Sequence, residues 1–264
     1  MSFKLEVVSE SIYDHPKYYD LVFGADCAAE TRFIMDCAHT FLDRKAQRMF
    51  EPACGTGRLL AQLGKKGFDV GGLDLNPKAI DFCNARFKRN EFAESAFVAD
   101  MSNFSVPKPY DVGFNTINSF RHLSTEKAAR DHLICMGNAI RPGGLYLLGV
   151  HLTPTEVEPS EGESWSARRG KLAVDTHMWT VDRDSKKRVE RFGIRFDVQS
   201  PSRNFRIEDV LVLRSYTAKQ MDRLIRSSEV WETLETFDFG YEIEAPIEVD
   251  GTCEDVVYVL ERKS

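Results

Sequence analysis

The residues best suited to chemistry gather around one short turn. Met49 and Phe50 run into Glu51, then into the small-residue stretch Pro52-Ala-Cys-Gly-Thr-Gly57, then into Arg58-Leu-Leu60 and Leu63 at helical spacing. Gly55 and Gly57 let backbone approach a ligand with no Cβ in the way and adopt dihedral angles that other residues avoid. The helix that follows aims its unpaired N–H groups and the positive end of its dipole at whatever lies over the turn. A dinucleotide or a nucleoside triphosphate would put anionic phosphates there, and the Glu51 carboxylate would repel them. An acid beside a helix N-terminus suits a ligand with an ammonium, a second positive centre and one carboxylate. Two further acids, Asp74 and Asp100, and one histidine, His151, close later apolar runs.

The elements that must carry these groups alternate between strand and helix patterns from about residue 46. That alternation predicts an α/β fold, Rossmann-like, with a seven-stranded, mostly parallel sheet and helices on both faces. Phe33, Ile34, Cys37, Ala38, Phe41 and Leu42 recur at a helical period ahead of the first strand. A second strand over 68–75 ends on Asp74, and Asn76-Pro77 opens a helix in cap-then-proline order. A third strand, 96–99, ends at Asp100-Met101, and a fourth, 110–115, runs into Thr116 and on to His122. A helix from about 125 to 140 is expected to stop at Pro142-Gly-Gly144, with a fifth strand over 145–150 ending at His151. Ligands of open α/β sheets bind beyond the carboxyl ends of the strands, so these ends are read as one site.

The text between 161 and 215 is different. Residues 171–181 and 189–198 flank the polar turn Asp182–Arg188, a hairpin signal, and another strand follows from Asn204. We expect an antiparallel β insertion between strands five and six, serving as substrate cap or dimer contact and reached through a linker at 152–163. The α/β pattern resumes with a helix over 217–228 and strands near 232–239 and 255–261. The expected organisation is therefore an N-terminal helical lid over 1–45, a core over 46–160 and 216–264, and the insertion over 161–215. Residues 11–24 come before any predicted strand and are rich in rings, among them Tyr13 and Tyr19. They either close one end of the core or lie over the site with a tyrosine tip reaching the ligand.

Glu-x-x-Cys-Gly-Thr-Gly, the acid ending strand two, Asp-Met ending strand three, the Pro-Gly-Gly turn and the helix–strand–strand finish together resemble the class I S-adenosylmethionine-dependent methyltransferases. The resemblance covers about residues 45–151 and 216–262, and the insertion with its Tyr-Tyr-Asp segment is most similar to small-molecule members that methylate amino sugars or glycine-like amines. It implies S-adenosyl-L-methionine as cofactor and S-adenosyl-L-homocysteine as product. Glu51 would hold the cofactor's amino group, and backbone at Ala53, Gly55 and Gly57 would line its methionine and ribose. Asp74 would accept from both ribose hydroxyls. Leu75 would pack on the adenine, Asp100 would accept from its exocyclic amine, and Met101 would offer its N–H. Asn115 and Thr116 would lie beneath the sulfonium, with Tyr19 reaching the cofactor from the lid. Ala53 stands where many members have the first glycine, a variation expected to be mild. Methyl transfer is mostly a matter of positioning, and a base for the acceptor's proton is sought in His122 or His151. Tyr13, Asn118 and Arg121 are candidates for binding the substrate. His15, His39, His132 and His177 show no convergent partners, so no metal site is expected.

Bulk properties narrow the class. The 264 residues, 42% of them apolar, suffice for a well-buried core. A net charge of −6 opposes a broad nucleic-acid surface, and the strand-four end lacks the Asn-Pro-Pro-Tyr type of motif associated with base methylation. Six cysteines without a Cys-x-x-Cys pair suggest a reducing, cytoplasmic setting, and no membrane span or secretory signal is expected. The expected partner is a small-molecule methyl acceptor with an N or O nucleophile, and the insertion offers a route to a homodimer. Two other readings compete. An NAD(P)-dependent oxidoreductase would want a third glycine where Leu60 stands. A non-catalytic S-adenosylmethionine-binding protein would keep the cradle without turnover.

Overall fold

The computed structural model describes residues 6–24, 26–159 and 162–264. In chain order the elements are β1 (Glu6–Val8), a 3-10 turn at Ile12–Asp14, α1 (Pro16–Phe23), α2 (Ala28–Phe41), β2 (Arg48–Pro52), α3 (Arg58–Lys65), β3 (Asp69–Asp74), α4 (Pro77–Arg89), β4 (Ala96–Val98) and β5 (Tyr110–Asn115). A 3-10 turn at Ser119–His122 leads to α5 (Glu126–Ala139), β6 (Ile140–His151), β7 (Gly162–Arg169), β8 (Leu172–Asp184), β9 (Val189–Gln199), β10 (Asn204–Arg214), α6 (Ala218–Ser227), β11 (Trp231–Phe237) and β12 (Asp255–Arg262). They form two compact units, the described parts of Met1–Asp26 with Ser160–Leu213, and Cys27–Pro159 with Arg214–Ser264.

The larger unit is a seven-stranded sheet in the order β11-β12-β6-β5-β2-β3-β4. β12 runs antiparallel to both of its neighbours, and the remaining pairs are parallel. Strand periodicity sorts the side chains into two cores. Met49, Val112, Leu145, Leu147, Val257 and Val259 join Phe33 and Ile34 of α2, Leu59 and Leu63 of α3, and Phe87 of α4. Their neighbours Phe50, Tyr146, Leu148, Val256 and Leu260 point the other way, to Leu133 and Met136 of α5 and Leu224 of α6. Local signals fix the helix starts: Asn76 Oδ1 accepts from the Lys78 and Ala79 amides ahead of α4, and Thr217 with Gln220 closes a reciprocal cap on α6.

The N-terminal ends of the strands are tied by one acid. Asp111 Oδ2 accepts from the Gln47 and Arg48 amides at 2.9 and 3.0 Å, and Oδ1 from Arg141 Nε at 2.8 Å. Burial would push this carboxyl up, but those amides and the Arg141 guanidinium outweigh it and hold it below the usual range. Removing the acid leaves a buried arginine short of its partner, so Asp111→Ala is expected to cost about 3 kcal/mol at neutral pH. Because the folded carboxyl titrates lower than the unfolded one, this contribution is complete above about pH 4 and fades as pH falls through the lowered value. Urea melts of wild type and variant at pH 7 and pH 3 check both the size and its loss.

The smaller unit is a five-stranded sheet in the order β1-β10-β9-β8-β7. β7, β8 and β9 pair antiparallel, while β1 adds in parallel to β10, Glu6 opposite Phe205. Ile12, Leu21, Val174, Ile194, Phe196 and Ile207 form its core. Three expectations change here. Residues 1–45 are not one helical lid: a strand, a 3-10 turn and α1 fold with the smaller unit, and α2 folds with the larger (residues 1–5 and 25 lie outside the described residues). The insertion is not an appendage of the core but forms, with that N-terminal segment, a unit with its own apolar centre. Pro142-Gly-Gly144 does not precede a strand; β6 runs through it from Ile140, with a register shift against β5 between Tyr110 and Val112. Within the predicted linker, Thr155 and Glu156 donate their amides to the Gly251 carbonyl, and residues 160–161 lie outside the described residues.

Candidate active site

The turn after β2 is built from left-handed residues: Ala53 at φ +54°, Gly55 at +52° and Gly57 at +66°. It is closed by Cys54 N–H to the Leu73 carbonyl at 2.8 Å and Gly57 N–H to Cys54 at 2.9 Å. A Cβ on Gly57 would come within 2.3 Å of Cys83 Sγ, so glycine is required there by both conformation and space. Ala53 is less mild than expected, because a left-handed alanine costs roughly 1–2 kcal/mol. Part of that is offset by the freedom a glycine would add to the unfolded chain. Ala53→Gly is expected to raise stability by about 0.5 kcal/mol in thermal melts.

Glu51 is buried, and its Oε2 has no partner among the described residues. Burial drives its pKa well above the ordinary carboxylate value, against the pull of Arg58. Arg58, at the start of α3, is gripped by Glu30 in the first turn of α2, Nη2 to Oε1 at 2.7 Å and Nη1 to Oε2. Glu30 Oε1 also accepts from Thr116 Oγ1 at 2.8 Å, and the Tyr241 hydroxyl donates to the Thr116 carbonyl at 3.1 Å. Asn115, closing β5, donates Nδ2 to the Pro52 carbonyl at 3.0 Å, and its buried Oδ1 likewise has no partner among the described residues. Two buried acceptors without donors, at the ends of adjacent strands, are what a hydrogen-bonding ligand with N–H groups would satisfy.

Asp74 closes β3 and accepts from Gly55 N–H on Oδ2 and Asn76 N–H on Oδ1, both at 2.8 Å. Burial raises this carboxyl, and those two amides draw it back. Each oxygen keeps a further lone pair for a ligand hydroxyl. Beside it, Leu75 leaves 72% of its surface exposed, an apolar face suited to a flat ring. Asp100 is exposed after β4, its Oδ1 engaged by Ser102 N–H at 2.7 Å and Ser102 Oγ at 2.8 Å, and Met101 follows it half-buried. Glu51, Ala53, Gly55, Gly57, Asp74, Leu75, Asp100, Met101, Asn115 and Thr116 thus stand together at the carboxyl ends of β2, β3, β4 and β5.

The other named residues fall in several places. His151 ends β6 directly opposite Asp255 of β12 and pairs with it, Nδ1 to Oδ1 at 2.7 Å; Nε2 lies 3.7 Å from Glu254. Asn118, left-handed at φ +53°, accepts the His151 amide on its side-chain oxygen at 3.0 Å. His122 is exposed at the end of its 3-10 turn. Arg121 does not line an open site: it is fully buried and donates Nε to the Arg214 carbonyl at 2.8 Å. Tyr13 and Tyr19 belong to the smaller unit, their ring centroids 5.4 Å apart. His132, considered from sequence only for a metal site, hydrogen-bonds the Met101 carbonyl and the Tyr146 hydroxyl. Glu30 and Asp255 went unread as well. Glu30 carried a signal, a charge three and four residues before Phe33 and Ile34 on the apolar face of its helix; Asp255 carried none.

Residues 50–144 match the family described as a methyltransferase domain. The dTDP-4-amino-2,3,4,6-tetradeoxy-D-glucose N,N-dimethyltransferase of Saccharopolyspora spinosa is 24% identical over 229 residues, 83% of this chain and 89% of that protein. Two putative methyltransferases also match, over only 44% and 42% of their own length. Among solved structures, Streptomyces venezuelae DesVI superposes with a TM-score of 0.76 at 19% identity, covering 95% of this chain and 98% of its own. SAM-bound CalS10, an amino pentose methyltransferase from Micromonospora echinaspora, superposes with a TM-score of 0.70 at 17% identity, covering 96% and 98%. These likenesses establish the fold.

Proposed function

From a chain that carries a class I methyltransferase domain, we infer an S-adenosylmethionine-dependent methyltransferase that acts on a small-molecule nucleophile, and for that nucleophile we propose the amine of an amino sugar. The observation that carries the cofactor reading is the orphaned, buried Glu51 oxygen behind a glycine cradle. A cation relieves that group, and a chain of phosphates does not. Bound there, S-adenosylmethionine supplies a methyl carbon activated by the positive charge on sulfur. Glu51 would accept from the cofactor's ammonium, Asp74 from the ribose diol, and Asp100 from the adenine amine. Leu75 would cover the ring, and the Gly55 and Gly57 backbone would lie along the methionine, with Asn115 and Thr116 under the sulfur. Support for the amine comes from the Saccharopolyspora relative, aligned over most of both chains and named for an aminodeoxyglucose.

His151 is the better of the two histidines for taking the acceptor's proton. Asp255 holds its Nδ1 and so leaves Nε2 with the free lone pair. Pairing of two chains through the β insertion and a cytoplasmic setting complete the proposal. Among the described residues no helix is long and apolar enough to cross a membrane.

Incubation with methyl-labelled S-adenosylmethionine and a panel of thymidine-diphosphate-linked amino sugars, followed by mass spectrometry, tests the reading. Label on the amine is expected. Tight S-adenosylhomocysteine binding with no labelled product across the panel would instead favour a non-catalytic binder.

A further inference from the structure

His132 is fully buried on α5, in the middle of the α5–α6 core, and no step of the reaction uses it. Its Nδ1 lies 2.9 Å from the Met101 carbonyl and its Nε2 2.7 Å from the Tyr146 hydroxyl. A carbonyl only accepts, so Nδ1 carries the proton and Nε2 accepts from Tyr146. One turn on, Cys135 Sγ lies 3.5 Å from the next carbonyl, Ser102. α5 therefore grips two successive carbonyls of the 101–103 turn. The Met101 carbonyl and the Ser102 N–H belong to one planar peptide. Its carbonyl side is held by His132 and its amide side by Asp100 Oδ1. Both Ser102 contacts fall on Oδ1, so exposed Asp100 keeps Oδ2 for a ligand. Burial lowers the imidazole pKa to about 4, against the pull of the Met101 carbonyl and Asp100, so the ring keeps one tautomer at neutral pH. The Phe120 ring sits edge-on at 5.5 Å and restricts its orientation.

We infer that His132, oriented by Tyr146, is a positioning residue for base recognition: through the 101–102 peptide it fixes Asp100 and the Met101 turn to receive a 6-aminopurine and to reject a 6-oxopurine. This rests on Asp100 as acceptor for the cofactor's adenine amine. A carboxylate so aimed meets a donor on adenine and an acceptor on hypoxanthine, and the mismatch leaves polar groups unpaired.

Calorimetric titrations with S-adenosylhomocysteine and with S-inosylhomocysteine test it. Wild type is expected to favour the adenine ligand by about a hundredfold. His132→Phe is expected to weaken the adenine ligand about tenfold while changing the inosine ligand less than about threefold, narrowing the ratio. His132→Asn, whose amide nitrogen can stand near Nδ1, is expected to restore most of it. Tyr146→Phe keeps the packing and should narrow the ratio about threefold, and it decides the matter if His132→Phe does not fold. Equal losses for both ligands, or an unchanged ratio in Tyr146→Phe and His132→Phe alike, would overturn the inference and leave the cofactor reading standing. No binding of S-adenosylhomocysteine by wild type would overturn both.

Discussion

Replacing Glu51 with glutamine is expected to weaken S-adenosylhomocysteine binding about ten- to a hundredfold while making the free protein more stable. The two effects share one cause. The carboxylate is buried, one oxygen lacks a donor, and burial holds its pKa well above the ordinary value. In the free protein the folded state binds the proton more tightly than the unfolded state. Stability is therefore lost as pH rises from the unfolded pKa through the raised one, and glutamine removes that loss. In the complex the ligand's ammonium pairs with the ionised acid, a contact worth about 1.5–3 kcal/mol. Binding should then release a proton below the raised pKa, seen as a calorimetric enthalpy that varies with buffer. Glu51→Gln that binds as tightly as wild type would sink this role.

A larger loss is expected at Asp74, where Asp74→Ala should weaken the same ligand more than a hundredfold. Two charge-assisted hydrogen bonds to a diol would be removed together. The Gly55 and Asn76 amides would also lose their acceptor, loosening the cradle turn and the entry to α4. Asp74→Asn keeps the shape and one acceptor oxygen, so a loss of only about tenfold is expected there. Near-wild-type binding by the alanine variant would mean that the ligand does not reach this strand end.

The parts of the site that could be read from sequence are those that depend on one residue type at one strand end. Glu51, Asp74 and Asp100 each follow an apolar run, and the pairing of β2, β3, β4 and β5 brings them together. What could not be read is what holds them. Glu30 meets Arg58 across 28 residues, and His132 meets Met101 across 31. Such pairs are set by how α2 and α5 rotate on the sheet, which their own periodicity leaves open by a residue or two. The same holds for β1, a three-residue strand whose partner lies at Phe205 to Ile207. Pro142-Gly-Gly144 misled for a local reason. Gly143 sits at φ +66° and looks like a helix stop, and a Cβ on Gly144 would come within 2.7 Å of the Asp111 carbonyl. The glycines let β6 pass close to β5, so they continue the strand rather than precede it.

Titrating the protein with S-adenosylhomocysteine and, separately, with NADH tests most directly whether Glu51 selects a cationic adenosine ligand. One equivalent of S-adenosylhomocysteine should bind with micromolar affinity, and NADH should give no heat. Saturable NADH binding, with S-adenosylhomocysteine inert, would contradict the account.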